Sequence, residues 1–222
     1  MNTAKILGVT QPIAEMNMTV DEFIAYVARV SNPSNQNNTL TAPKLLRYLA
    51  KHKHWSPFEM VNVVMEINTT RDIARQILRH RSFSFQEFSQ RYADPTGDLG
   101  FSTREARLQD YKNRQNSIET NDQALQSWWT REQDFIKNSA AMAYDMAIKR
   151  GIAKEQARAV LPEGLTNSRM YMNGTLRSWV HYCQLRAGPE TQKEHREIAR
   201  DAWYQITEVF PSLKDCLDIG VE

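Results

Sequence analysis

The chain has 222 residues, enough to bury a sizeable core, and its 41% hydrophobic and 24% charged residues are ordinary for a globular protein. A formal net charge of +2 gives no global drive toward nucleic acid or a membrane surface. No apolar run nears the roughly 20 residues of a membrane span, and Cys183 and Cys216 have neither paired metal nor redox spacing.

In chain order, residues 5–10 are apolar and β-prone, a first strand without the basic leader of a secretion signal, so a cytoplasmic setting is expected. Thr19 and Glu22 have capping-box spacing and open a helix expected to bury Phe23, Ile24, Val27 and Val30. Residues 31–38 form a polar loop with a proline; Leu45, Leu46 and Leu49 then share one face of a second helix. Val61, Val63, Met65 and Ile67 alternate as a strand does. Thr70 caps a helix expected to bury Ile73, Ala74, Ile77 and Leu78, and residues 94–100 read as a turn-rich loop. A long helix covers about 122–149, with Trp128 among its apolar positions and Gly151 as its stop. A short helix carries Glu155 and Arg158 and ends before Pro162. A strand at 170–173 and helices at 175–186 and 191–210 complete the chain. Without repeat or linker, the pattern is one α/β (α+β) domain over 1–222, its helices packed around a small mixed sheet.

The chemistry concentrates in the run Arg79-His80-Arg81-Ser82-Phe83-Ser84-Phe85-Gln86-Glu87-Phe88-Ser89-Gln90-Arg91. If its end is extended, Glu87, Ser89 and Arg91 share one face: an acceptor, a hydroxyl and a cation side by side. Such a strip suits a nucleotide, because arginine grips phosphate in a planar fork. Arg71, Arg75 and Arg79 form one helical stripe, with Gln76 and His80 on the neighbouring one; Arg177 and His181 repeat the i,i+4 spacing, and Arg186 ends their helix. Like charges so spaced repel, so anionic ligands are expected nearby. No glycine-rich phosphate loop is present, so a dinucleotide must be held by side chains. Taken singly these features are ordinary: an arginine stripe is usually a solvated face, a lone His54 a surface residue, and Cys183 a small buried one.

Arg79-His80-Arg81, seven residues, then Ser89 resembles the signature of the flavin-dependent thymidylate synthases, the ThyX family. Ala28-Arg29-Val30-Ser31, His54-Trp55-Ser56-Pro57-Phe58-Glu59, Arg158 to Pro162 and Leu176 to Arg186 resemble further segments of that family. The resemblance implies a homotetramer with active sites where subunits meet. It also implies FAD, NADPH, methylenetetrahydrofolate and dUMP as reactants, with dTMP as product and no attacking cysteine or metal.

By matching positions, the resemblance assigns Ser31, Ser56, Glu59, Arg79, His80 and Arg81 to the flavin, with Arg177 and His181 from another subunit. Gln76, Arg79, Glu87, Ser89, Arg91, Arg158 and Arg186 are assigned to dUMP. Within that set Arg158 meets the phosphate, Arg186 is the catalytic cation at the uracil, and His54 lies near flavin and folate. Met60, Thr175 and His181 depart from common family residues, and Asn173 is a substitute for a missing asparagine. The competing reading is a non-catalytic nucleotide or nucleic-acid binder using the arginine stripes, for which affinity would fall steeply with salt.

Overall fold

The computed structural model describes residues 2–214, 216, 217 and 219, so both ends of the domain expected over 1–222 lie outside the described part. A four-stranded sheet, in the order β1 (Thr3–Val9), β2 (Asn62–Thr70), β6 (Asn167–Thr175), β3 (Ser84–Glu87), carries the core on one face. All three pairings are antiparallel, which refines the expected mixed sheet. Two-residue periodicity explains the faces. Val63, Met65 and Ile67 of β2 lie opposite Gly174, Met172 and Met170 of β6, and all point inward. The other face is wetter, with Arg169 donating from Nε to Asn68 Oδ1 at 2.8 Å.

Helices α1 (Val20–Ala28), α2 (Ala42–Lys51), α3 (Arg71–Ile77), α7 (Leu176–Arg186) and α8 (Lys193–Val209) supply buried residues to the same core. The capping box of α1 forms as expected: Glu22 N–H donates to the Thr19 hydroxyl, and Thr19 N–H donates to the Glu22 carboxylate. The helix ends at Ala28, so Val30 is exposed rather than buried, and Arg29 turns inward to donate to Thr41 Oγ1 at 2.7 Å. Similarly α3 ends at Ile77, which leaves Leu78 exposed. Residues 94–100 contain a short helix, α4 (Pro95–Asp98), capped by Asp94. A polar hairpin of β4 (Arg107–Gln109) and β5 (Ser117–Glu119) precedes α5 (Gln123–Lys149). Helix α5 is anchored through Gln133, Ala140 and Tyr144, while Trp128 is half exposed. Gly151 follows it with φ +81, the left-handed conformation that favours glycine, and leads into the short helix α6 (Lys154–Ala157). Among the described residues no helix is long and apolar enough to cross a membrane.

Helix α7 positions the site. Its Trp179 is fully buried and donates from Nε1 to the Val63 carbonyl at 3.0 Å, fixing the helix against β2. Thr175 is its N-cap and accepts from Ser178 N–H at 3.1 Å. Such a cap contributes about 1 kcal/mol.

Candidate active site

Gly174 lets the Arg79–Arg91 segment reach α7. A β-carbon there would sit 2.4 Å from the Phe83 ring, so only a glycine leaves room for that ring to cross β6. Phe83 then packs edge-on to Trp179 with centroids 4.9 Å apart, and His80 packs edge-on to Tyr182 at 4.9 Å. Arg186, one turn beyond Tyr182, donates from Nε to His80 Nε2 at 2.9 Å. Burial, then the Arg186 charge, lowers the His80 pKa to about 4. His80 is therefore a neutral acceptor near pH 7. The two terminal nitrogens of Arg186 make no hydrogen bond or ion pair among the described residues.

Behind this pair lies His195 of α8, fully buried. Its Nε2 is 3.1 Å from the Tyr182 hydroxyl and its Nδ1 3.2 Å from Gln76 Oε1. Gln76 donates from Nε2 to Gln192 Oε1 at 2.9 Å. Gln76, His80 and Arg186 are thus joined around Tyr182 and His195.

A second group gathers at the end of β3. The expected strip of Glu87, Ser89 and Arg91 does not form, because the strand stops at Glu87. Ser89 instead opens a turn: its carbonyl accepts from Tyr92 and Ala93 N–H, and its hydroxyl oxygen accepts from Arg91 N–H at 3.3 Å. Glu87 is held inward, accepting from Ser168 Oγ at 2.7 Å and Arg71 at 3.4 Å. The turn sends Arg91 to Glu155, with Nε 3.6 Å from its carboxylate. Arg158 Nε donates to the Glu155 carbonyl at 3.3 Å, so the two arginines converge on one residue.

The arginine stripe is not a free basic surface. Arg71 and Arg75 both pair with Glu163, so protein carboxylates meet the anion requirement there. Arg79 lies beyond the end of α3. The guanidinium groups of Arg79 and Arg81 have no ion-pair or hydrogen-bond partner among the described residues.

The opposite face of α7 carries the remaining residues. Arg177 and Arg186 are nine residues apart, about two and a half helical turns, and so point in roughly opposite directions. A cavity of about 520 Å³ is lined by Lys53, His54, Trp55, Ser56, Pro57 and Arg177. It shares Ala28 and Leu49 with a second cavity of about 540 Å³, lined by Ser31, Arg29 and Tyr48 among others. Glu59 pairs with Arg177, and His181 stacks edge-on to Trp55 at 5.4 Å. Lys53 has φ +59, an uncommon conformation for a side-chain-bearing residue, directly before His54.

The family described as "thymidylate synthase complementing protein" matches residues 13–212. A probable flavin-dependent thymidylate synthase of Paramecium bursaria Chlorella virus 1 is 47% identical over 216 residues, 97% of this chain and 99% of that one. The chain belongs to the flavin-dependent thymidylate synthase family. A flavin-dependent thymidylate synthase of Synechocystis is 46% identical over 201 residues, covering 90% of this chain and 91% of its own. The fold is shared with the UMP/dUMP methylase PolB of Streptomyces cacaoi: TM-score 0.75 at 23% identity, over 96% of this chain and 94% of PolB.

As a flavin-dependent thymidylate synthase family member, the chain splits its expected flavin residues between two places. Ser31, Ser56 and Arg177 line the twin cavity beside His54, with Glu59 paired to Arg177 and His181 packed on Trp55, whereas His80 lies against Tyr182 and Arg186. Asn173 is exposed on β6, and Met60 is half exposed. Sequence reasoning did not find Tyr182, Gln192 or His195. A signal existed: His195 falls on the same helical face as Ile198, Ala202 and Ile206, which marks it as inward-facing. Cys183 is fully buried, and burial pushes its thiol well above the usual range, which disfavours the thiolate that nucleophilic attack requires.

Proposed function

We propose that this chain performs the reductive methylation of dUMP to dTMP, with methylenetetrahydrofolate as carbon donor, FAD as flavin and NADPH as reductant, in an assembly whose active sites are shared between subunits. The observation that carries this reading is Arg186, held through Nε by neutral His80 with both terminal nitrogens left for a ligand.

Arg91 and Arg158 hold the dUMP phosphate, exchanging their contacts with Glu155 for charge-assisted bonds. Gln76 and Ser89 orient the nucleoside, and Glu87, fixed by Ser168, sets the position of that corner. Arg186 lies against the uracil and stabilises its ionised form, a role suited to a cation that does not lose its proton. His80 makes this possible only while unprotonated, because an imidazolium cannot accept from Arg186.

The donors of the twin cavity fit a dinucleotide. Ser31, Ser56 and Arg177 offer hydroxyl and guanidinium groups for phosphate, while Ala28, Leu49 and Trp55 give an apolar wall for a ring. Glu59 holds Arg177, and His181 braces Trp55. Bound FAD would supply hydride transfer. His54, beside Ser56, faces the place for flavin and folate. Because α7 turns Arg177 and Arg186 apart, Arg79, His80 and Arg81 reach this dinucleotide from a second copy of the chain, consistent with a homotetramer.

Complementation tests the reading. Arg177→Ala and Arg81→Ala chains, each inactive alone, are mixed, co-refolded and assayed for dTMP. Restored activity is expected, since some mixed sites carry both intact halves. A mixture as inactive as its parents contradicts a site shared between subunits.

A further inference from the structure

The hydrogen bonds around Gln76 all run one way. Gln192 Nε2 donates to Glu194 Oε2 at 2.9 Å and Gln76 Nε2 to Gln192 Oε1 at 2.9 Å; Gln76 Oε1, which can only accept, is 3.2 Å from His195 Nδ1, and His195 Nε2 is 3.1 Å from the Tyr182 hydroxyl. Arg107 donates to the other carboxylate oxygen, Glu194 Oε1. An ionised carboxylate only accepts, and guanidinium only donates, so this end has a fixed polarity. Reversing the Gln76 carboxamide would require reversing Gln192, which would turn the Gln192 oxygen onto the Glu194 carboxylate. Side-chain chains of this kind strengthen cooperatively and specify one arrangement.

We propose that Glu194 and His195 are positioning residues that lock the Gln76 carboxamide, so that it presents dUMP with an N–H donor and keeps its oxygen turned inward. This rests on the reading of Gln76 as a dUMP contact. The lock selects ligands with an acceptor at that place and penalises those with a donor, because a misdirected amide leaves buried groups unpaired. It also sets the His195 tautomer: Nδ1 carries the proton and Nε2 accepts. Burial first, then the charge of Arg186, holds His195 neutral, with a pKa of about 3. Burial raises the Glu194 pKa, but the bonds and charge of Arg107 outweigh it and keep that carboxyl below its usual value.

The wild-type protein, labelled with ¹⁵N only in histidine, tests the lock without any substitution. The His195 ring is expected to show a protonated Nδ1 and a bare Nε2 at pH 7. An Nε2–H tautomer, or a mixture, overturns the proposal. Calorimetric titration with dUMP gives the functional arm. Glu194→Gln removes the acceptor-only end and should weaken dUMP binding about tenfold, with His195 becoming a tautomer mixture. Gln76→Ala separates the two readings. If it leaves dUMP affinity unchanged, Gln76 is not a substrate contact. If it weakens binding while a folded Glu194→Gln does not, the contact stands and the lock is refuted.

Discussion

His195 gives folding a pH dependence that can be assigned to one side chain. In the folded chain its ring is fully buried, between Tyr182 and Gln76, and its pKa is lowered from 6.5 to about 3 by burial and then by Arg186 and His80. In the unfolded chain it titrates near 6.5. Between these values the unfolded state binds a proton that the folded state does not, so stability is full above pH 6.5 and falls as pH drops toward 3. Each pH unit in that window removes about 1.4 kcal/mol, roughly 2 kcal/mol by pH 5 and roughly 5 kcal/mol over the whole interval. His195→Gln keeps a hydrogen-bonding side chain but cannot titrate. Urea unfolding of both proteins at equal concentration, from pH 7 to pH 4.5, isolates the contribution, because the carboxylates cancel in the difference. The wild type should lose about 1.4 kcal/mol more per pH unit below 6 than the variant. Parallel stability profiles would refute a buried, neutral His195.

Gly174→Ala should displace Phe83 and with it His80, lowering stability by about 1–3 kcal/mol and weakening the Arg186–His80 contact; thermal melts and turnover measure both. Arg91→Ala or Arg158→Ala should weaken dUMP binding by roughly 1.5–3 kcal/mol, read by calorimetry, with little loss of fold because both guanidinium groups are partly exposed. Cys183→Ala should retain dTMP formation and lose only packing, about 1 kcal/mol in urea titration; an inactive but folded variant would contradict its assignment as core.

What local pattern determines was legible. The alternation of Val61, Val63, Met65 and Ile67 named the central strand and its buried face, and Thr19 with Glu22 marked the start of α1, because two-residue periodicity and capping are local rules. Strand β6 proved longer than residues 170–173, since pairing with β2 extends it where propensity alone is weak. The β4–β5 hairpin was invisible: three polar residues per strand leave no pattern. The Glu87–Ser89–Arg91 strip failed because Ser89 satisfies its own turn, a side-chain effect that competes with the strand. For the site, motif spacing singled out Ser31, Ser56 and Arg177, which the fold brings to the twin cavity, and Gln76 and Arg186, which it joins around Tyr182 and His195. It could not show that α7 turns Arg177 away from Arg186, nor that Glu163 neutralises Arg71 and Arg75. Both depend on tertiary contacts between distant segments.

Flavin dependence is tested most directly by the visible spectrum of the purified protein under anaerobic conditions, with added FAD. The flavin band should bleach on adding NADPH and return only when dUMP and methylenetetrahydrofolate are both supplied, with dTMP formed in step. A protein that binds no flavin, or whose band returns with neither substrate present, would contradict the proposed reaction and leave the Arg186–His80 pair without a chemical role.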